Sequence, residues 1–120
     1  MRSTMERQKD ITIRPQINKI EKKHGCIQSA LEILGDKWSP LLLGHLFEQD
    51  RTFGDLEGLL PGISPRTLSA RLDDLLSCGI LDKKLYCKHP PRYKYSLTDK
   101  GQDLRTILIQ MANWGEKYNN

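Results

Sequence analysis

Between Ser64 and Gly79 the apolar residues Leu68, Leu72, Leu75 and Leu76 recur at i, i+4, i+7 and i+8, one stripe at the 3.6-residue period of an α-helix. Ser64 suits the cap and Pro65 the first helical position, where no intrahelical N–H is missed, and Gly79 ends the run. Upstream, Ile27, Ala30, Leu31 and Leu34 predict a short helix from Cys26 to Leu34, closed by Gly35. Trp38, Leu41, Leu42, Leu46 and Phe47 predict a second helix capped by Asp36, with Pro40 able to delay its regular part to Ser39. Arg51 and Thr52 suit a very short strand, and Thr52 also suits the cap of a third helix, in which Phe53, Leu56, Leu59 and Leu60 share a face. That helix and the one after Ser64, joined across the Pro61, Gly62, Ile63 break, make a helix-turn-helix unit.

Beyond Gly79 the period falls from 3.6 toward 2. ILDKKLY reads as a strand, and RYKYSL alternates, with Tyr93, Tyr95 and Leu97 on one face and Arg92, Lys94 and Ser96 on the other. CKHPP between them makes the pair a β-hairpin with a basic tip. Thr98 then caps a last helix over 98–119, along which Leu104, Ile107, Leu108, Met111, Trp114 and Tyr118 follow one stripe. The predicted class is α+β, mainly α: a winged helix-turn-helix over 26–120, ending in a dimerisation helix whose apolar face meets a second copy of the chain or, alternatively, folds back on its own domain.

At 120 residues, 38% hydrophobic and 28% charged, the chain has the size and polarity of one soluble domain. No apolar run is long enough to span a membrane, and MRSTMERQKD leads into no apolar segment. The expectation is a cytoplasmic protein with no membrane partner. Cys26, Cys78 and Cys87 are odd in number and lack framework spacing, so they read as thiols.

The net charge of +4 is unevenly placed: residues 1–25 carry +4, residues 26–61 carry −4, residues 62–97 carry +4, and the rest carry 0. Residues 1–25 contain Pro15 and no sustained apolar period, which predicts a mobile basic arm, helical from about Gln16. In the helix after Ser64, Arg66 and Arg71 come early and Asp73 and Asp74 late, against the preference of the helix dipole. A polyanion approached by the N-terminal half would explain that order, as when a recognition helix enters a DNA major groove. The plainer reading is an amphipathic helix with a solvated charged face. Lys83, Lys84, Lys88, His89, Arg92 and Lys94 crowd the hairpin, which favours the nucleic-acid reading and places the wing on backbone or minor groove.

Three separated blocks, CIQSALEILGDKW, RTFGDLEGLLPGISPRTLSARLDDLLSCGIL and PPRYKYSLTDKG, in this order, resemble the HxlR-type transcriptional regulators, relatives of the MarR group. The resemblance covers about residues 26–118. It implies a homodimer that binds double-stranded operator DNA and regulates a nearby gene, with the effector left open. Position by position, Ser64, Pro65, Arg66, Thr67, Ser69 and Arg71 match the family's recognition-helix segment, and Lys88 to Lys94, with His89 and Arg92 between them, match its wing. Cys26 matches a cysteine that opens the first helix in many members, some of which respond to electrophiles or oxidants through it. Pro40 and the long basic arm depart from the pattern.

Cys26 is also the candidate sensor on its own chemistry: it stands at a helix start just after Lys22, Lys23 and His24, a positive setting that makes a thiol more nucleophilic. Its alternative is a small packed residue on the side of Ala30 and Ile33. Cys78 is expected to be more buried, Cys87 exposed, and His45 a core or border residue. An enzyme is not expected, because no P-loop, GxGxxG, HExxH or Ser/His/Asp pattern is present. Neither a metal nor a cofactor is expected: Cys87 and His89, and His24 and Cys26, lie close without the CxxC or HxxxH pairs of a zinc module. The remaining alternative is a winged helix that serves only as a protein-interaction module.

Overall fold

Leu42, Leu43, Leu56, Leu60, Leu68, Leu72, Leu75, Ile80 and Leu81 are fully buried and form the core that carries the basic elements. The computed structural model describes residues 24–119, and the chain divides after Gly35 into two units, Met1–Gly35 and Asp36–Asn120. In the first, helix α1 spans His24–Leu34, with Cys26 in its first turn and Ser29 Oγ donating to the Gly25 carbonyl at 3.1 Å. Residues 1–23, most of the predicted basic arm and its helix from Gln16, lie outside the described residues.

The second unit runs α2 (Trp38–Glu48), β1 (Arg51–Thr52), α3 (Phe53–Leu59), α4 (Pro65–Ser77), β2 (Leu81–Lys88), β3 (Pro91–Leu97), α5 (Asp99–Gln102) and α6 (Arg105–Tyr118). The strands form one antiparallel sheet in the order β1-β3-β2. Asp36 starts α2 by accepting from the amides of Trp38 and Ser39, so Pro40 falls within the first turn, where its missing N–H breaks no bond. At the other end of α2, Arg51 Nε donates to the His45 carbonyl and Nη2 to Glu48, a cation placed where a helix C-terminus favours one. His45 is half-buried at the border of the core, as expected. Thr52 both closes β1 and caps α3 in a reciprocal box with Asp55.

The core face of α2 differs from the predicted one. Ser39, Leu42, Leu43 and Leu46 are buried, and Leu41 is half exposed. Three consecutive leucines let the helix be read at either phase, and burial chose the stripe through Leu43. In α3, Leu56 and Leu60 are buried while Leu59 is exposed, because α3 ends there and Leu60 leaves the helix to reach the core. The single last helix predicted over 98–119 is two pieces: a tight turn, with the Leu104 amide on the Gly101 carbonyl at 3.0 Å, separates α5 from α6.

Gly62 and Gly79 take positive φ, +91° and +75°, and make the turns on either side of α4 possible. At its C-terminal end, α4 is tied to α5. Thr98 Oγ1 accepts from the Gly101 amide, donates to the carbonyls of Gly79 and Ile80, and Lys100 Nζ reaches the Cys78 carbonyl at 2.7 Å.

Candidate nucleic-acid interface

The exposed side of α4 is presented by its own capping chemistry. Ser64 Oγ accepts from the Thr67 amide at 3.1 Å and bonds Thr67 Oγ1 at 3.0 Å, and Pro65 occupies the first helical position. Leu68, Leu72 and Leu75 anchor the opposite face. Ser64, Pro65, Arg66 and Ser69 are exposed and Thr67 is half-buried, so the predicted recognition segment lies together on the surface.

Arg71 is also on this side, but it is engaged. Nη2 lies 2.9 Å from Asp74 Oδ2 and Nη1 lies 3.6 Å from Asp36 Oδ2, with 30% of the side chain exposed. Burial alone would raise the Asp36 carboxyl, but hydrogen bonds from Ser39 and Trp38 and the charge of Arg71 hold it below its ordinary value. Asp36, Trp38, Arg66, Thr67, Ala70 and Arg71 line an open cleft of about 340 Å³ beside the exposed face of α4.

The wing is the β2–β3 hairpin, turned through a cis His89–Pro90 bond. Lys88, His89, Arg92 and Lys94 are all exposed. Lys84 stands directly opposite Lys94 in the antiparallel register, an arrangement of like charges that destabilises an isolated sheet and suits one facing a polyanion. The ladder shifts register between Leu85 and Cys87, so Tyr86 is the extra residue, and it lines a second cleft of about 380 Å³ with Phe53, Arg92, Tyr93 and Tyr95. Lys83 Nζ sits 4.4 Å over the Tyr93 ring. Lys84 belongs to the basic wing but not to the predicted site, since only the register reveals its pairing with Lys94.

On α6, Ile107, Met111, Trp114 and Tyr118 are exposed at i, i+4, i+7 and i+11, and Trp114 is 69% exposed. The Trp114 and Tyr118 rings meet at a tilt of 46°, their centroids 5.1 Å apart. Leu104 and Leu108, predicted on the same interface, are half-buried, and Leu104 sits in the turn before α6.

The cysteines are free. Cys26 is exposed. Cys78, expected to be more buried, is exposed too: it is the C-cap of α4, off the leucine stripe, where Gly79 turns the chain away. Cys87 is half-buried, its Sγ 3.8 Å from the His89 carbonyl, rather than exposed as predicted. Among the described residues no three His, Cys, Asp or Glu are grouped to hold a metal ion, and no helix is long and apolar enough to cross a membrane.

With this geometry in place, the family model described as HxlR-like helix-turn-helix matches residues 33–120. An uncharacterized HTH-type transcriptional regulator, YdeP of Bacillus subtilis, is 37% identical over 95 residues, 78% of this chain and 74% of that protein. The redox regulator HypR in its oxidized form superposes with a TM-score of 0.73 at 32% identity, over 78% of this chain and 97% of the other. The reduced form of the transcriptional regulator YodB from B. subtilis gives a TM-score of 0.67 at 27% identity, over 78% and 91%.

Proposed function

The chain belongs to the HxlR-like helix-turn-helix family, and on that premise we propose that it binds operator DNA as a homodimer, with α4 in the major groove and the wing on the neighbouring backbone. It is a DNA-binding transcriptional regulator of winged-helix fold, and the family is one of regulators, not of enzymes. The observation that carries the operator reading is the exposed, capped N-terminal half of α4, with Arg66 and Ser69 outward, together with the Lys84 and Lys94 pair on the wing. Ser64, Pro65, Thr67 and Arg71 complete the α4 contribution, and Lys88, His89 and Arg92 that of the wing. The chain acts where its DNA lies, in the cytoplasm.

The homodimer rests on the exposed stripe of α6, which pairs two recognition helices on two half-sites. A winged helix used only for protein interaction would not need basic residues on both α4 and the wing. Duplex binding measured against salt, for the wild type and for Arg66→Ala and Lys88→Ala, separates the two readings.

Cys26 is the thiol through which an oxidant or electrophile reaches this regulator. The support is its exposed place in the first turn of α1 and the likeness to HypR, a redox regulator.

A further inference from the structure

Arg66 and Arg71 share the exposed side of α4, yet they are held differently. Arg66 makes no ion pair with a carboxylate among the described residues, whereas both terminal nitrogens of Arg71 face one. The two partners of Arg71 are themselves unlike. Asp74 rides on the same helix and is exposed, so it moves with α4. Asp36 is fixed from elsewhere: its Oδ1 accepts from the Trp38 and Ser39 amides at 2.8 and 2.7 Å, at the start of a helix whose Ser39, Leu42 and Leu43 are buried. Its other oxygen, Oδ2, is the one turned to Arg71.

An unpaired arginine is a long, mobile cation that gains from any phosphate within reach, and it adds affinity without adding sequence preference. A guanidinium already flanked by carboxylates meets a phosphate only beside two negative charges, which oppose it. The acceptor edge of a base is dipolar but uncharged, so that opposition is far weaker there, and an arginine held in one orientation can present its fork to one acceptor pair.

We propose that Asp36 is a positioning residue for DNA recognition: anchored by the first turn of α2, it holds Arg71 for a base edge and withholds it from phosphates, raising discrimination between sequences rather than affinity. This inference rests on the DNA-binding reading of α4.

The test uses the full-length protein, a duplex selected from a random-sequence library by the wild type, and a scrambled duplex of the same length and composition. Binding of both duplexes at one fixed salt concentration is measured for the wild type, Asp36→Asn, Asp36→Ser, Arg71→Ala and the Asp36→Asn/Arg71→Ala double variant. Asp36→Ser keeps a helix cap but removes the charge, so the cap and the hold on Arg71 are separated. The expected result is that both Asp36 variants lower the ratio of selected to scrambled affinity by about tenfold, mainly through tighter binding of the scrambled duplex. In the Arg71→Ala background the same substitution should leave that ratio unchanged. An unchanged ratio in either Asp36 variant overturns the proposal, as does an equal change with and without Arg71, since charge removal alone would then explain it. A wild type that binds neither duplex overturns the DNA-binding reading itself, and that arm is read independently of the variants.

Discussion

Gly101 lies directly under the carbonyl oxygen of Ile80: a Cβ at that position would fall on this oxygen and within 2.9 Å of Leu97 Cδ2. The contact joins α5, the first turn of the C-terminal segment, to the chain as it leaves α4. Backbone atoms cannot give way as a flexible side chain can, so Gly101→Ala should cost about 1–3 kcal/mol by overpacking. Urea unfolding should show the midpoint lowered at unchanged slope. A variant as stable as the wild type would mean that α5 can shift without consequence.

Acid should expose the role of Asp36. Its folded-state pKa is depressed, against burial, by Ser39, Trp38 and Arg71. The contribution is therefore fully present above the unfolded value of about 3.9 and lost as pH falls through the folded value. Thermal unfolding should find Asp36→Asn less stable than the wild type near neutrality, and the gap should close as pH falls below about 3.9. A gap that persists at the lowest pH would assign the loss to packing instead.

The exposed stripe of α6 predicts the assembly state. Trp114→Glu or Met111→Glu places a charge in the middle of the proposed interface, where an unpaired buried charge is strongly unfavourable. Sedimentation should find a dimeric wild type and monomeric variants, and removal of residues 104–120 should abolish paired half-site binding. If the truncated chain remains dimeric, the interface lies elsewhere.

The helix-turn-helix, the wing and the caps at Ser64, Thr52 and Thr98 were legible because each is written locally, in spacing or in a capping residue beside an apolar run. What was not legible depends on tertiary choice. Leu41 and Leu43 are equivalent to any periodicity argument, and only packing decided between them. The pairing of Asp36 with Arg71 joins residues far apart in sequence, and the opposition of Lys84 to Lys94 depends on a register set across the hairpin. Cys78 is exposed for a related reason: a helical projection continues to the last residue, but the chain leaves the helix there.

Chemical sensing at Cys26 predicts selective reactivity. Titration with diamide while following duplex binding should change affinity in the wild type and leave Cys26→Ser unaffected, with Cys26 alkylated faster than Cys87. An equal response of wild type and Cys26→Ser, or Cys26 as the slowest of the three thiols, would remove it as the sensor.

Duplex affinity as a function of salt reads the surface of α4 and the wing most directly. Phosphate contacts from α4 and the wing should release counterions, so the logarithm of the association constant should fall linearly with the logarithm of salt, by about 0.9 per phosphate neutralised. Lys88→Ala should reduce that slope by about 1 and weaken all sequences alike, whereas Arg71→Ala should cost ~1–3 kcal/mol on the selected site and relax its sequence preference. Equal binding at low and high salt, or no binding of duplex DNA at all, would contradict the assignment of α4 and the wing as a DNA-reading surface.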